Sequence, residues 1–476
     1  MTYPRAIVVV VLAAGTSSRF GAPKLLADLD GRPVLARVLD VVGTIRPAGV
    51  VLVLGREADQ VVAAPGLLAA LGPVPVTIVR NEVPEEGMAR SVRLGLEAAA
   101  RHLPETAAAL VVLGDQPLLR PEVAMALLGA GSVHGRPVVV PRYQGGGGAN
   151  PVLLRRDAWG LAADASGDRG LGPVLAARPE LVAEVAVTGV NPDVDTPADL
   201  ALAAWALRVR ADRAQVDRFR EVPDSKDFYG PVSGLFRADP RRTDDETLDG
   251  LLALARPEDV WLDIGAGAGR FALPLALRVR EVVAVDPSAG MLAALRELAD
   301  ESDIANVRIV EGRWPLEPDA AGAAGVGPGS ADVALIAHLG YDVEAIGPFL
   351  EAMEAAARRR CVAVLMDRQP SSIADPLWPE VHGEERIRLP ALRELVALLE
   401  TRGRVPGIRE VERPPRGFDS FDDLAGFVRR QTWVAEGSPK DERLLAALRA
   451  RALERDGRWF LEAQPAVVGI VDWAPI

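Results

Sequence analysis

The chain has 476 residues, of which 49% are hydrophobic and 25% are charged, and its formal net charge is −12. This length predicts about three folded domains, or two large ones, and the composition excludes a disordered chain. The acidic balance argues against a nucleic-acid duplex or an anionic membrane as a partner, because neither would meet an attractive long-range field.

The chain contains one cysteine, Cys361, and no apolar run long enough to cross a bilayer. A single cysteine excludes an intrachain disulfide and a zinc cluster of thiolates, so we expect a reducing, cytoplasmic location. Cys361 lies in a predicted buried strand, where an inert thiol is expected rather than a nucleophile.

Strand-like and helix-like segments alternate through the first part of the chain. We expect strands at 7–12, 50–54, 76–79 and 108–113, and helices at 34–42, 59–71, 89–102 and 121–130. Such alternation predicts parallel strands joined by crossovers, with ligands bound beyond the carboxyl ends of the strands.

The first predicted strand runs into a loop of small residues, followed at once by Arg19 and Lys24. Backbone N–H groups in such a loop can approach anionic oxygens, and two cations at fixed spacing can neutralise a pyrophosphate leaving group. The loop matches neither G-x-x-x-x-G-K-[ST] nor G-x-G-x-x-G. The alternative is a buried strand with a solvated basic turn. The residues expected to bind a nucleotide here are Leu12, Ala13, Ala14, Gly15 and Lys24.

A glycine opens the third predicted helix, and a serine follows in its first turns. Gly87 would allow the close approach of a base or ribose, to which Ser91 could form a hydrogen bond. The alternative is an ordinary helix start, because glycine is common before a helix rich in alanine.

Acidic residues follow predicted elements at two distant places. Asp115 ends a buried strand, where its carboxylate would be costly unless a cation such as Mg²⁺ balanced it; a turn-capping role is the alternative. Further along, Thr196 can cap a helix, but that role leaves Asp193 and Asp195 unexplained.

Five motifs resemble, in the same order, those of the nucleotidyltransferases with a GT-A-like fold, especially the molybdenum cofactor cytidylyltransferases. The resemblance covers about residues 5–205. The motifs are LAAGTSSRFGAPK at 12–24, GMARSVRLGL at 87–96, LGDQP at 113–117, GDRGL at 167–171 and DVDTP at 193–197.

This resemblance implies that an acceptor phosphate attacks the α-phosphorus of an NTP. Mg²⁺ would be held by Asp115 and Asp195, with Asp193 in reserve, while Lys24 and Arg19 stabilise the departing pyrophosphate. The motif L-A-A-G at 12–15 has Ala14 where the guanylyl enzymes of the family have glycine, and this difference favours CTP.

The resemblance also implies molybdopterin or molybdenum cofactor as the acceptor, and a molybdoenzyme or its chaperone as a protein partner. Asn150 stands where the family usually has a histidine, which weakens transfer of the acceptor's identity. The alternative acceptor is a sugar, polyol or choline phosphate.

A highly charged stretch at 203–227 separates the two halves of the chain, and no internal repeat is visible. It lacks glycine and could extend the last helix of the first domain until Pro223 ends it. We expect a boundary near residue 215, and therefore domains at 1–215 and 216–476.

The second half begins with another buried strand, at 259–264, that runs into a glycine-rich loop. The third glycine of G-x-G-x-x-G would fall at 270, which is Arg270. Asp286 ends the next strand about twenty residues beyond the loop, where a carboxylate can bind both ribose hydroxyls, of NAD as well as of other cofactors.

The string VWLDIGAGAG at 260–269 resembles motif I of the class I S-adenosylmethionine (SAM)-dependent methyltransferases, and the resemblance covers about 228–476. It implies a Rossmann-like sheet, with further strands at 307–310, 332–336, 361–366 and 467–471. The residues expected at SAM are Asp263, Gly265, Gly267, Asp286, Gly312 and Arg313.

Four other features bear on this second domain. Trp314 could stack on adenine or pack in the core, and His338 and Tyr341 face the region where the family accepts the methyl group. The region 371–458 is expected to cap that pocket. The alternative for the whole domain is a non-catalytic SAM sensor or docking module.

The sequence therefore predicts an α/β protein of two doubly wound domains, a GT-A-like nucleotidyltransferase sheet followed by a Rossmann-like methyltransferase sheet. The predicted activity is transfer of CMP from CTP to a phosphorylated acceptor, with release of pyrophosphate, joined to methyl transfer from SAM to an acceptor that no motif identifies.

Overall fold

The computed structural model describes residues 7–131, 135–223, 227, 230–461 and 466–475. Backbone contacts divide the chain into two units, one ending at Ala204 and the other beginning at Trp205. The division falls inside the helix Pro197–Phe219, which also contains the boundary expected near residue 215. The domain limits 1–215 and 216–476 stay a prediction.

The first unit is built on a seven-stranded sheet in the order β5-β4-β1-β6-β8-β7-β9. Its central strands are parallel, whereas β8 runs antiparallel to both of its neighbours. A small hairpin, β2 and β3, lies outside this sheet. The strands are β1 (Ile7–Ala13), β2 (Asp28–Leu29), β3 (Arg32–Pro33), β4 (Gly49–Leu54), β5 (Val76–Arg80), β6 (Ala108–Leu113), β7 (Val138–Tyr143), β8 (Val152–Arg155) and β9 (Val182–Val187).

Helices cover both faces of this sheet, because alternate residues of the central strand β1 point to opposite sides. Val9 and Val11 join one apolar cluster, and Val8 and Val10 join the other. The helices are α1 (Val34–Ile45), α2 (Ala58–Ala63), α3 (Met88–His102), α4 (Pro121–Gly131), α5 (Gly172–Ala176) and α6 (Pro197–Phe219).

The second unit carries a seven-stranded sheet in the order β12-β11-β10-β13-β14-β18-β15. The strands from β12 to β14 are parallel, and β18 is antiparallel to β14 and β15. The strands β16 and β17 form a separate two-stranded sheet. The strands of the unit are β10 (Val260–Ile264), β11 (Glu281–Asp286), β12 (Val307–Glu311), β13 (Ala331–Ala337), β14 (Ala357–Met366), β15 (Gly407–Arg413), β16 (Leu453–Arg455), β17 (Arg458–Phe460) and β18 (Ala466–Trp473).

The helices of the second unit fall into two groups. Helices α7, α8 and α9 contribute to the apolar cluster around Trp261, while α12, α14 and α15 contribute to a separate cluster. The helices are α7 (Glu246–Leu252), α8 (Ala272–Ala276), α9 (Ala289–Glu301), α10 (Pro318–Ala324), α11 (Ile346–Ala356), α12 (Trp378–His382), α13 (Leu392–Thr401), α14 (Phe421–Thr432) and α15 (Pro439–Arg451).

The predicted fold class, two α/β domains with largely parallel sheets, is confirmed. The helix predicted at 59–71 was wrong as a single element. It divides into α2 and a 3-10 turn at Leu67–Leu71, because Pro65 interrupts it and Gly66 takes a left-handed φ of 71°. The antiparallel direction of β8 and β18 was not predicted either.

None of the described helices combines the length and the apolarity that a membrane span requires. Cys361 is fully buried on β14, and its thiol donates a weak hydrogen bond to the carbonyl oxygen of Met353 at 3.9 Å. Burial, followed by the charge of Glu354, raises the pKa of the thiol well above its usual range. An unreactive thiol follows from this environment.

Candidate active sites of the two units

Three segments meet at the carboxyl edge of the first sheet. Asp115 follows β6, Asp195 precedes α6, and Lys24 begins a 3-10 turn after the loop that leaves β1. The backbone N–H of Val194 donates to the carbonyl oxygen of Asp115 at 2.9 Å and ties the last two segments together. The residues predicted for metal and pyrophosphate therefore lie in one place.

The ammonium group of Lys24 lies between the two acids. Its Nζ donates to Oδ2 of Asp115 at 2.6 Å and to Oδ1 of Asp195 at 2.9 Å. The lysine is 6% exposed, whereas the carboxylates of Asp115 and Asp195 are 23% and 28% exposed. One buried cation thus holds two carboxylates that face solvent.

Charge governs protonation in this triad. Burial by itself lowers the pKa of Lys24, but the charges and hydrogen bonds of Asp115 and Asp195 outweigh it and leave the pKa above its ordinary value. Burial likewise raises the pKa of Asp195, and the contacts with Lys24 and Arg19 outweigh that effect and lower it. Both groups are therefore charged at neutral pH.

Arg19 and Asp199 hold Asp195 from opposite sides. The exposed guanidinium of Arg19 donates to Oδ2 of Asp195 at 2.6 Å. Oδ2 of Asp199 accepts from the backbone N–H groups of Asp195 and Thr196, and its own N–H donates to Oγ1 of Thr196 at 3.2 Å. Asp199 was not predicted, although the T-P-A-D spacing is typical of a helix cap.

Asp193, the reserve ligand, points into a different network. Its Oδ1 accepts from Nε2 of Gln116 at 2.8 Å, and Oε1 of Gln116 accepts from Nδ2 of Asn191 at 2.9 Å. Gln116 is buried and was also missed, because a glutamine after LGD carries no chemical signal of its own. Asp195 thus contacts Lys24 directly, whereas Asp193 contacts Gln116.

The donor set of this site suits Mg²⁺. Within the described part of the chain, no group of three His, Cys, Asp or Glu side chains lies close enough to hold a metal ion. Mg²⁺ needs no such cage, because it keeps several waters and is held by one or two carboxylates together with substrate phosphates. Two carboxylates that already share a cation have the required charge and placement.

The small-residue loop lies directly against this triad. Leu12, Ala13 and Ala14 are buried, whereas Gly15 is exposed, and a Cβ added to Gly15 would lie 3.8 Å from Cε of Lys24. The backbone N–H of Lys24 donates to Oγ of Ser17 at 3.3 Å. The loop thus leads the chain from β1 to the lysine along the exposed side of the site.

Gly87 and Ser91 lie at the start of α3. Gly87 has a φ of 92°, and a Cβ there would come within 2.4 Å of the backbone of Gly167. Oγ of Ser91 accepts a hydrogen bond from Nδ2 of Asn81 at 2.9 Å, and both residues are buried. The glycine is therefore required by backbone packing, and the serine already has a protein partner.

A cavity of about 620 Å³ opens beside these elements, between the sheet and α3. Most of its wall is apolar, and Arg169, Asn150, Arg136 and Glu184 supply polar groups. The guanidinium of Arg136 is occupied by the carbonyl oxygens of Pro179 and Val182. The larger apolar lining residues include Leu12, Met88, Val92, Val111, Leu113, Val140, Val152, Leu171 and Leu175.

In the second unit, the glycine-rich loop after β10 faces the end of β11. Gly265, Gly267 and Gly269 all have positive φ angles, which explains the glycines. Oδ2 of Asp286 accepts from the backbone N–H of Gly267 at 2.9 Å, and Oδ1 accepts from Ser288 at 2.8 Å. The acid and the loop predicted to hold SAM are thus joined.

Asp263 lies beneath this loop and is fully enclosed. Its Oδ1 has no hydrogen-bond partner among the described residues. Burial and, after it, the charge of Asp286 raise the pKa of Asp263 to about 7. A buried carboxyl oxygen without a partner is costly, and a ligand donor in the loop would satisfy it.

The remaining predicted residues of this unit lie beyond β12. The backbone N–H of Gly312 donates to the carbonyl oxygen of Asp286 at 3.0 Å, and the side chain of Arg313 is exposed. Nε1 of Trp314 donates to the carbonyl oxygen of Phe349 at 3.2 Å, which ties the ring to α11. Gly312 and Arg313 therefore lie beside the acid expected to bind ribose.

Comparison with family models finds two domains in the chain. Residues 9–185 match a MobA-like NTP transferase domain, and residues 262–339 match a methyltransferase domain. Among curated proteins, the bifunctional protein GlmU of Streptomyces coelicolor is 34% identical over 137 residues, which are 29% of this chain and 27% of that protein. The chain spans from about a quarter to about half of the curated relatives it matches.

Solved structures match parts of the chain. Rv0371c from Mycobacterium tuberculosis H37Rv is 33% identical, with a TM-score of 0.37, and the match spans 43% of this chain and 99% of the Rv0371c chain. A putative methyltransferase from Bacillus halodurans is 14% identical, with a TM-score of 0.36, and the match spans 49% of this chain and 100% of the methyltransferase chain. The chain thus carries a match to a MobA-like NTP transferase domain, followed by a match to a methyltransferase domain.

Proposed function

We propose that the first unit transfers a cytidylyl group from CTP to a phosphorylated acceptor and releases pyrophosphate. The observation that carries this proposal is the ammonium group of Lys24, shared by the carboxylates of Asp115 and Asp195 at the end of the small-residue loop. A buried lysine between two partly exposed acids places charges of both signs where a metal-bound triphosphate would lie.

The side chains divide the work of the reaction. Asp115 and Asp195 would hold Mg²⁺, which supplies a Lewis acid at the α-phosphate. An oxygen of the acceptor phosphate attacks the α-phosphorus, and the bond to the β-phosphate breaks. Lys24 and Arg19 neutralise the charge that develops on the departing pyrophosphate, while the loop holds the phosphates in line.

The cavity beside α3 supports an acceptor with an apolar body and an anionic group. Arg169 and the side chain of Asn150 have no hydrogen-bond or ionic partner within the described residues, and both face this cavity. We propose molybdopterin as the acceptor, because the flat faces of its fused rings would lie on the apolar wall and its phosphate would bind Arg169. A sugar, polyol or choline phosphate would leave most of the apolar wall uncovered.

We further propose that the second unit binds SAM and transfers its methyl group. The joined pair of Asp286 and the glycine loop supports this, because one carboxylate at a strand end can hold the loop and still accept from ribose hydroxyls. A unit that only senses SAM would bind it without forming S-adenosylhomocysteine. For the first unit, we also propose a molybdoenzyme or its chaperone as the protein partner.

The first test is a screen of NTPs and phosphorylated acceptors with Mg²⁺, read by pyrophosphate release. We expect CTP with molybdopterin to be the best pair, and Asp115→Ala to lose nearly all turnover. Asp59→Ala is the matched control, because it removes an exposed acid of the same unit that pairs with Arg80. An unchanged rate in Asp115→Ala would contradict the metal assignment, and a sugar phosphate as best acceptor would contradict molybdopterin.

A second test addresses the methyltransferase unit by itself. Calorimetry with S-adenosylhomocysteine should show one site on the full chain. Release of S-adenosylhomocysteine from SAM in the presence of a cell extract's small molecules would demonstrate transfer. Binding without release would favour the sensor, and absence of binding would contradict the proposal.

A further inference from the structure

His338 lies at the carboxyl edge of the second sheet, immediately after β13. Its φ of 55° is unusual for a residue other than glycine, and its backbone N–H donates to the carbonyl oxygen of Val364 at 2.8 Å. The next residue, Leu339, packs on the glycine loop, since a Cβ on Gly265 would come within 2.7 Å of it. The histidine is thus held next to the proposed SAM loop.

The imidazole of His338 lacks a partner for one nitrogen. Nδ1 is shielded from solvent and forms no hydrogen bond to any described residue. Burial, followed by the charges of Arg413 and Arg270, lowers the pKa of this histidine to about 4. At neutral pH the ring is uncharged and offers one donor or acceptor to whatever lies beside it.

Guanidinium and carboxylate groups lie around this place: Arg242, Arg270, Arg413 and Arg416 on one side of the balance, and Asp244 and Asp245 on the other. Arg242 and Arg270 both donate to Oδ2 of Asp245, at 3.0 Å and 2.8 Å. The guanidinium group of Arg413, at the end of β15, forms no hydrogen bond or ion pair with any residue that the structure describes. The four guanidinium groups therefore carry two positive charges more than the carboxylates of Asp244 and Asp245 can neutralise.

That excess charge is unfavourable without a counter-ion. Burial, then the neighbouring charges of Arg270 and Arg416, lowers the pKa of Arg413. Tyr341 is nearby but is buried and uncharged, with its hydroxyl accepting the backbone N–H of Met366 at 2.7 Å. An anion placed between Arg413 and Arg270 would offset the repulsion and could also accept from His338.

We propose that the methyl acceptor of the second unit carries a carboxylate or phosphate group, which Arg413 and Arg270 bind beside His338. This inference rests on the methyltransferase function proposed above and adds the chemical class of its acceptor. The anionic group orients the acceptor toward the glycine loop. A neutral acceptor of the same shape would leave two charges uncompensated and would bind poorly.

The test uses small anions, so that the unknown shape of the acceptor does not matter. The full chain is labelled with ¹³C at Cε1 of its four histidines, and the His338 signal is assigned with His338→Gln. Acetate, inorganic phosphate and the neutral acetamide are titrated at constant ionic strength, with S-adenosylhomocysteine present and absent. His102, in α3 of the first unit, serves as the reference signal.

We expect acetate or phosphate to move the His338 signal saturably, and acetamide to leave it in place. Arg413→Gln should weaken this binding about tenfold to hundredfold, the effect of losing a hydrogen bond between charged groups, and Arg413→Lys should weaken it less. Arg409→Gln, on the same strand and without a described partner, should bind as the parent does. Which anion binds more tightly separates a carboxylate from a phosphate acceptor.

The proposal would be overturned if the His338 signal did not move at anion concentrations up to about 50 mM, which is far above the dissociation constant expected for two charge-assisted contacts. An equal response to acetamide, or full binding in Arg413→Gln, would also overturn it. Calorimetry with S-adenosylhomocysteine keeps this failure distinct from failure of the methyltransferase function, because cofactor binding does not require the anion.

Discussion

Replacing Lys24 with methionine should separate metal binding from catalysis in the first unit. The ammonium group lies 2.6 Å and 2.9 Å from the two carboxylates that are proposed to hold the metal. Lysine and metal therefore compete for the same oxygens when no nucleotide is bound. Without the lysine, two acids face each other with Arg19 as their only cationic contact among the described residues.

The magnitude follows from the distances and the exposure of the acids. Two unit charges about 4 Å apart interact with about 4 kcal/mol at an effective dielectric constant of about 20. Solvent screens part of this, because about a quarter of each carboxylate is exposed. We expect a net gain of about 1–3 kcal/mol for a divalent cation, so Mn²⁺ should bind about 10- to 100-fold more tightly to Lys24→Met.

The assay is electron paramagnetic resonance of free Mn²⁺ titrated with protein in the absence of nucleotide. Lys24→Arg keeps the charge and should bind Mn²⁺ as the parent does, and Arg80→Gln, which breaks an exposed pair in the same unit, should have no effect. Pyrophosphate release by Lys24→Met should nevertheless fall. Weaker or unchanged Mn²⁺ binding in Lys24→Met would refute the competition.

Three further predictions concern both units. Asp286→Ala should weaken S-adenosylhomocysteine binding at least about tenfold by calorimetry, since it frees the N–H of Gly267, whereas Glu281→Gln at the other end of β11 should not. Folding lowers the pKa of His338 from 6.5 to about 4, so the stability that its neutral ring contributes is present above pH 6.5 and is lost as the pH falls toward 4. The pH dependence of the thermal midpoint between pH 6.5 and 4 should therefore be smaller in His338→Gln, with the similar contribution of His382 remaining. Asp199→Ala should lower turnover about tenfold while leaving the fold intact, because it releases the backbone of Asp195, and unaltered kinetics would contradict its positioning role.

The fold and the triad could be predicted because their signals are local. Buried β-branched runs give the parallel strands, and each site residue follows such a run or precedes a helix. The partners are 91 and 171 residues apart in the chain, yet strand ends meet at one edge of a parallel sheet. The position of Lys24 between the two acids could not be predicted, because it depends on how distant segments pack together.

Other features left no trace in the sequence. Arg413 comes close to His338 only because β15 joins the sheet through the antiparallel strand β18, and its neighbourhood ERPPRG reads as an ordinary loop. Gln116 and Asp199 act through contacts with acids whose positions are set by other segments. Hydrogen-bond partners of this kind depend on side-chain packing and not on local pattern.

The most direct measurement for the whole account is a crystal structure of the full chain with Mn²⁺ and CTP, recorded with anomalous scattering from manganese. The account predicts one strong peak within about 2.0–2.4 Å of an oxygen of both Asp115 and Asp195, with the Lys24 ammonium moved onto the β- or γ-phosphate. A peak bound by neither acid, or a triphosphate away from the loop at 12–15, would contradict it.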